Sequence, residues 1–108
     1  MIESADVVVS FLPGARQGKR RPAIVVSAPD YHNQRPDLIL AIITSRVEDA
    51  TTEFDCVLFD WQQAGLRSAS AMRSYLFTVE QDEVTKVGRL SEADWQAVRE
   101  RLRLALDI

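Results

Sequence analysis

A single cysteine and a single histidine, Cys56 and His32, limit the chemistry open to this sequence of 108 residues. One cysteine forms no intrachain disulfide. One residue of each kind builds no closed His/Cys metal site, and no two-histidine acid–base pair exists. A Cys56–His32 dyad is conceivable, but Cys56 lies in the strand-like run 54–59, where a thiol packs as a small inert hydrophobe. Glycine is scarce too. Gly14 and Gly18 lack the lysine–hydroxyl ending that a phosphate-cradling loop needs. No apolar run approaches the length that crosses a bilayer, and the start MIESADVVVS has no basic n-region of a signal peptide. The carboxylates are scattered, and none is marked by an apolar setting that would raise its pKa. The expectation is one cytosolic domain over residues 1–108, with no metal, no cofactor and no membrane partner.

What is present is ordinary globular material, 46% hydrophobic and 27% charged, and enough for one core. Residues 6–12 are β-branched and apolar and predict a first strand, broken by Pro13-Gly14. Residues 23–27 predict a second. Residues 29–37 hold two prolines and read as a long loop. LILAII, 38–43, is apolar without interruption, so it predicts a strand covered on both faces. With a single long helix to cover the sheet, that strand also predicts a second copy of the chain as cover. Further strands are predicted over 53–59, 69–79 and 85–89. One helical turn is expected over 60–65, with Asp60 as N-cap and Gly65 past its end. Ser91 opens a C-terminal helix as N-cap. Asp94 stands at the capping-box position, Leu90 and Trp95 are spaced as a hydrophobic staple, and Trp95, Val98, Leu102 and Ala105 share one face. Arg99, Arg101 and Arg103 suit the helix dipole and need no ligand. The fold class is mainly β with a C-terminal α-helix, as a strongly bent antiparallel sheet or partly open barrel.

The net charge of −3 excludes a surface coated in positive potential, so a nucleic-acid site must be a local patch. Such a patch exists. Arg16, Lys19, Arg20 and Arg21 fall in a window with no acid between Asp6 and Asp30. A hairpin loop that keeps a sheet edge soluble has the same composition. Pro22 shifts the balance, because a proline restricts the preceding residue to extended backbone. Arg21 is then a guanidinium on a fixed backbone, a preorganised donor for phosphate oxygens. Thr44 and Ser45, hydroxyls at the exit of the LILAII strand, form a second candidate pair.

The runs DVVVSFLPGARQGKRRPAIVVSAPDY and LILAIITS, followed by FDWQQAGLRSASAMRSYLFTVE and KVGRLSEADWQAVRERL, resemble the MazF/PemK family of toxin endoribonucleases, in its PemK-like branch. The similarity covers nearly the whole chain. It implies an SH3-like barrel, a homodimer, metal-independent cleavage of single-stranded RNA, and neutralisation by a cognate antitoxin. It implies catalytic roles for Arg21 and Thr44, with RNA contacts from Arg16, Gln17, Lys19, Arg20, Ser45 and Arg73. Two departures stand out: the loop reads Gly14-Ala15-Arg16-Gln17-Gly18 where family loops often carry a glutamate, and Tyr31-His32-Asn33 displaces the family's asparagine by one. Two other readings fit the same fold class. One is a non-catalytic RNA-binding module, for which Tyr31 is the only aromatic in an obvious loop. The other is a gyrase-inhibiting toxin of the CcdB type, which relies on a tryptophan near the chain end. This chain ends Leu104-Ala105-Leu106-Asp107-Ile108, with its last tryptophan at Trp95.

Overall fold

The structure, a computed structural model, describes residues 2–11 and 19–108. Six strands, β1 Asp6–Phe11, β2 Arg20–Val25, β3 Asp37–Thr44, β4 Cys56–Leu58, β5 Ser70–Glu80 and β6 Thr85–Arg89, form one antiparallel sheet in the order β4-β5-β3-β2-β1-β6. Helix α1 spans Pro29–Gln34 and helix α2 spans Glu92–Leu106.

The sheet curls, and the curl supplies much of its own cover. Register shifts interrupt β3–β5 between Ala41 and Ile43, and β1–β6 between Val7 and Val8. Such irregularities bend and twist a strand pair. Side chains of opposite parity on β3 then fall into two cores. Ala41 and Ile43 join Val7, Ile24, Met72 and the α2 residues Val98 and Leu102 on one face. Leu38 and Leu40 join Val8, Val25 and Phe77 on the other. Leu38, Leu40 and Ala41 are fully buried within one chain while Ile39 and Ile42 are partly exposed, so most of LILAII is covered without a second copy.

The two ends of the strand order meet through the turn at 60–65, which follows β4. Gly65 has φ +85, left-handed backbone that glycine adopts without strain. A Cβ on Gly65 would collide with the Val87 carbonyl, and one on Gly88 with the Ala64 carbonyl. Backbone therefore lies directly on backbone where the turn meets β6.

Four local expectations change. The 29–37 segment contains α1, because Pro29 at the first helical position lacks an amide that would be unbonded there anyway. Pro36 then holds Arg35 extended and ends the helix. Strand β2 begins at Arg20, earlier than Ala23, and strand β4 is only three residues long. Of the expected helix face, Val98 and Leu102 are buried while Ala105 is exposed.

Candidate nucleic-acid groove

The site begins where a ladder stops. Strand β2 pairs with β1 from Arg20 to Ile24, but with β3 only from Ala23 to Val25. Pro22 has no amide to donate, so it suits a position where pairing ends. Continuing the β2–β3 register two residues past Ala23↔Ile42 sets Arg21 opposite Thr44. Both residues line a groove of about 750 Å³.

The groove has two kinds of wall. Val9, Pro22, Ile43, Leu66 and Val87 give it an apolar lining, and Thr44, Ser45, Ser68 and Ser70 supply hydroxyls. Five exposed arginines, Arg20, Arg21, Arg46, Arg67 and Arg73, stand around them. Apolar surface ringed by cations suits a flexible anion with planar apolar faces, which describes a single-stranded nucleic acid.

The arginines differ in what holds them. Arg20 Nη2 donates to the Val9 carbonyl at 3.2 Å and to Thr85 Oγ1 at 3.0 Å, and its guanidinium lies 5.9 Å from the Phe11 ring centroid. Arg73 Nε lies 3.7 Å from an Asp55 carboxylate oxygen. Arg46 Nε is 3.5 Å from both Glu48 and Asp49. Arg21 has no such partner among the described residues. Thr44 is half-buried, and its Oγ1 accepts from the Arg46 amide at 3.1 Å, which leaves the hydroxyl proton to donate elsewhere.

Of the residues singled out in the sequence, Arg20, Arg21, Thr44, Ser45 and Arg73 come together in this groove. Lys19 is exposed and is not among its lining residues. Arg16 and Gln17 lie outside the described residues. Arg46 and Arg67 were missed. Arg46 had a signal, since it follows Thr44-Ser45 directly; Arg67 had none beyond its charge. Tyr31 lies on α1, away from the groove lining. Its hydroxyl donates to Asp37 Oδ2 at 2.6 Å, and the Arg35 guanidinium stands 5.4 Å from its ring. That hydrogen bond raises the Tyr31 pKa and, with help from Arg35, lowers that of Asp37.

Cys56 packs as the strand pattern suggests, and the carboxylates add a feature that the sequence did not show. Cys56 and His32 form no dyad: His32 bonds with Ser27 Oγ and the Ile2 carbonyl, while Cys56 is packed in the α2-side core and burial pushes its pKa up. Carboxylates are also found in the interior. Asp6 is fully buried beside Lys86 Nζ at 3.2 Å and Arg89 Nη1 at 3.0 Å. Asp55 accepts from the amide and hydroxyl of Thr52. Asp94, 1% exposed, accepts from the amides of Phe59 and Asp60 at 3.1 and 2.8 Å. Each is bonded by groups that the fold brings from elsewhere or that a turn supplies. Among the described residues, no three His, Cys, Asp or Glu side chains are grouped to hold a metal ion, and no helix is long and apolar enough to cross a membrane.

Solved structures share this architecture. An endoribonuclease in complex with its cognate antitoxin, from a mycobacterial species, superposes with a TM-score of 0.82 at 15% identity, over 100% of this chain and 97% of that one. A MazE–MazF structure from Deinococcus radiodurans gives 0.77 at 20% identity, over 99% and 97%. The Mycobacterium tuberculosis toxin MazF-mt6 gives 0.76 at 18% identity, over 95% and 97%. At such identities the likeness shows the fold, a curled antiparallel half-barrel with a C-terminal helix. No curated protein matches the sequence at a significant level. A family model described as PemK-like, MazF-like toxin of type II toxin-antitoxin system matches residues 4–106, and the chain belongs to that family.

Proposed function

We propose that the groove is the active site of an endoribonuclease that cleaves single-stranded RNA without a metal ion. The observation that carries the reading is the meeting in one cationic groove of the Thr44 hydroxyl and Arg21, which has no partner among the described residues. RNA carries its own nucleophile, the 2′-OH. Its oxygen attacks the adjacent phosphorus, the bond from phosphorus to O5′ breaks, and the products are a 2′,3′-cyclic phosphate and a 5′-OH. The step consumes no water, since the 2′-OH gives up one proton and the departing O5′ takes one. Negative charge grows on the phosphate oxygens on the way. Arg21 meets it with a planar fork of donors that stays charged at any working pH, which also disqualifies it as general base. The Thr44 hydroxyl donates to a phosphate oxygen or orients the 2′-OH. Arg20, Ser45 and Arg73 hold the strand, with Lys19 and the loop residues Arg16 and Gln17 beside them.

Family membership supports two further parts of the reading: a cognate antitoxin that neutralises the protein, and a homodimer working in the cytoplasm. The antitoxin bound to the similar mycobacterial endoribonuclease supports the first.

The test is incubation of the pure protein with single-stranded RNA in the presence of a chelator, followed by mapping of the new ends. Fragments with 2′,3′-cyclic phosphate and 5′-OH termini are expected. Binding without cleavage would favour an RNA-binding module, and cleavage that leaves 5′-phosphates would exclude attack by the 2′-OH.

A further inference from the structure

Three of the five groove arginines are engaged by the protein itself: Arg20 by Val9 and Thr85, Arg46 by Glu48 and Asp49, and Arg73 by Asp55. Among the described residues, only Arg21 and Arg67 of the five have neither a hydrogen-bond nor a carboxylate partner. A solvated surface arginine is common, so the missing partner alone would mean little. The backbone that carries Arg67 adds the second observation. The turn before it is fixed at three points: the buried Asp94 carboxylate holds the Phe59 and Asp60 amides, Gly65 lies against the Val87 carbonyl, and the Leu66 amide donates to the Trp61 carbonyl at 3.1 Å. Leu66 packs against the α2-side core. Arg67 therefore lines the groove from a secured base and, among the described residues, has no partner there.

On the reading of the groove as an RNA site, we infer that Arg67 is a second phosphate-binding arginine, for a backbone phosphate other than the scissile one. Arg21 comes from β2 and Arg67 from the 66–69 loop, so they approach a strand from different elements. The groove volume of about 750 Å³ lies high in the range of roughly 300–1,000 Å³ typical of small-molecule pockets, which gives room for more than one phosphate. A preorganised guanidinium loses little freedom when it grips a phosphate. Its contribution is affinity and strand register, not the chemistry of the broken bond.

The test measures binding of a ten-nucleotide 2′-O-methyl RNA, which lacks the nucleophile, against salt concentration. Each phosphate contact on a single strand contributes about 0.7 to the slope of log affinity against log salt. Arg67→Ala is expected to flatten the slope by about that amount and to weaken binding roughly tenfold at low salt, with an unchanged melting temperature. Arg67→Lys should restore the slope, because a lysine keeps the charge. Arg99→Ala, on α2 beside Trp95, changes net charge equally and should leave the slope as it is. An unaltered slope in Arg67→Ala, or the same loss in Arg99→Ala, overturns the inference. Cleavage of natural RNA by the unmodified protein is scored separately. Binding with the expected slopes but no cleavage would retain Arg67 as a phosphate contact and reject the endoribonuclease reading. No binding would reject the inference, and no binding together with no cleavage would reject both.

Discussion

At the scale of single residues, the five groove arginines share a charge and differ in their restraints, so net charge alone does not rank them. On the proposed reading, Arg21 acts on the reacting phosphate. Arg21→Ala should slow single-turnover cleavage by two or more orders of magnitude, as loss of a transition-state donor does, with a small change in RNA affinity. Arg21→Lys should fail as well, since the charge stays and the fork is lost. Thr44→Ala should resemble it, and the double variant should be little worse than either single one if both act on one phosphate. Arg20→Ala should lose less than tenfold, because that side chain is already committed to Val9, Thr85 and Phe11. Wild-type cleavage by Arg21→Ala would refute the catalytic assignment. Cys56 gives a second residue-scale expectation. Buried, with its pKa raised by that burial, it should resist a thiol reagent at neutral pH in the native protein and react after unfolding in urea. Rapid labelling of the folded protein would show that the α2-side core opens readily. The prominence of Arg21 could be read from the sequence because Pro22 fixes its backbone locally. Arg67 could not, because its importance lies in which groups do not reach it, and only the tertiary structure determines that.

At the scale of elements, the runs of β-branched and apolar residues and the helix spacing located all six strands and α2, since those patterns are local. The interior carboxylates escaped because burial of an aspartate depends on distant donors. Asp94 illustrates the difference. Its position three residues after Ser91 suggests a capping box, and Ser91 Oγ does accept from the Asp94 amide at 3.2 Å. The Asp94 carboxylate, however, turns outward from its own helix to the amides of Phe59 and Asp60. Asp94→Ala should leave those two donors unmatched and cost about 3 kcal/mol in urea denaturation. Ser91→Ala should cost only about 1 kcal/mol. Equal costs would mean that Asp94 acts within its helix alone. The glycine seam joins the other pair of elements. Gly88→Ala would push a methyl into the Ala64 carbonyl, and a loss of about 1–3 kcal/mol is expected as turn and strand separate. A melting temperature equal to wild type would mean that the seam yields at no cost. On the far side, Asp37 ties α1 to β3 through Tyr31 and Arg35. The folded pKa of Asp37 is lowered, so its contribution to stability is present above the usual carboxylate range and lost as pH falls through the lowered value. The raised Tyr31 pKa works in the other direction: its contribution is present below the ordinary phenol value and is lost as pH rises past it. Tyr31→Phe should flatten stability against pH at both extremes, and an unchanged profile would remove the pair from the stability of α1.

At the scale of the whole molecule, the case for a homodimer shifts from β3 to the surface. LILAII is mostly covered within the chain, but Phe59 and Ile108 are 83% and 81% exposed. Strand β4 is a sheet edge paired only with β5, and Val57 on it is exposed, as is Phe54 just before it. Exposed Leu104 and Leu106 end the helix whose Arg101 donates to the Glu53 carbonyl at 3.0 Å, and Ile108 follows it. A second copy would give these side chains cover. Sedimentation equilibrium at micromolar concentration should show a dimer, and Phe59→Ser should shift it toward monomer. A wild-type protein that stays monomeric would count against that use of the surface. The bond from Asp94 to residues 59 and 60 also matters for synthesis. The groove is drawn from residues 9–87, yet the turn that forms one of its walls is held by a carboxylate that leaves the ribosome later. A nascent chain stalled before α2 lacks that carboxylate, and Val98 and Leu102 are missing from its core. Its arginines exist, but one wall of their groove lacks its anchor. Whatever the groove does therefore waits until α2 has been made, because the turn that carries Arg67 is secured from there.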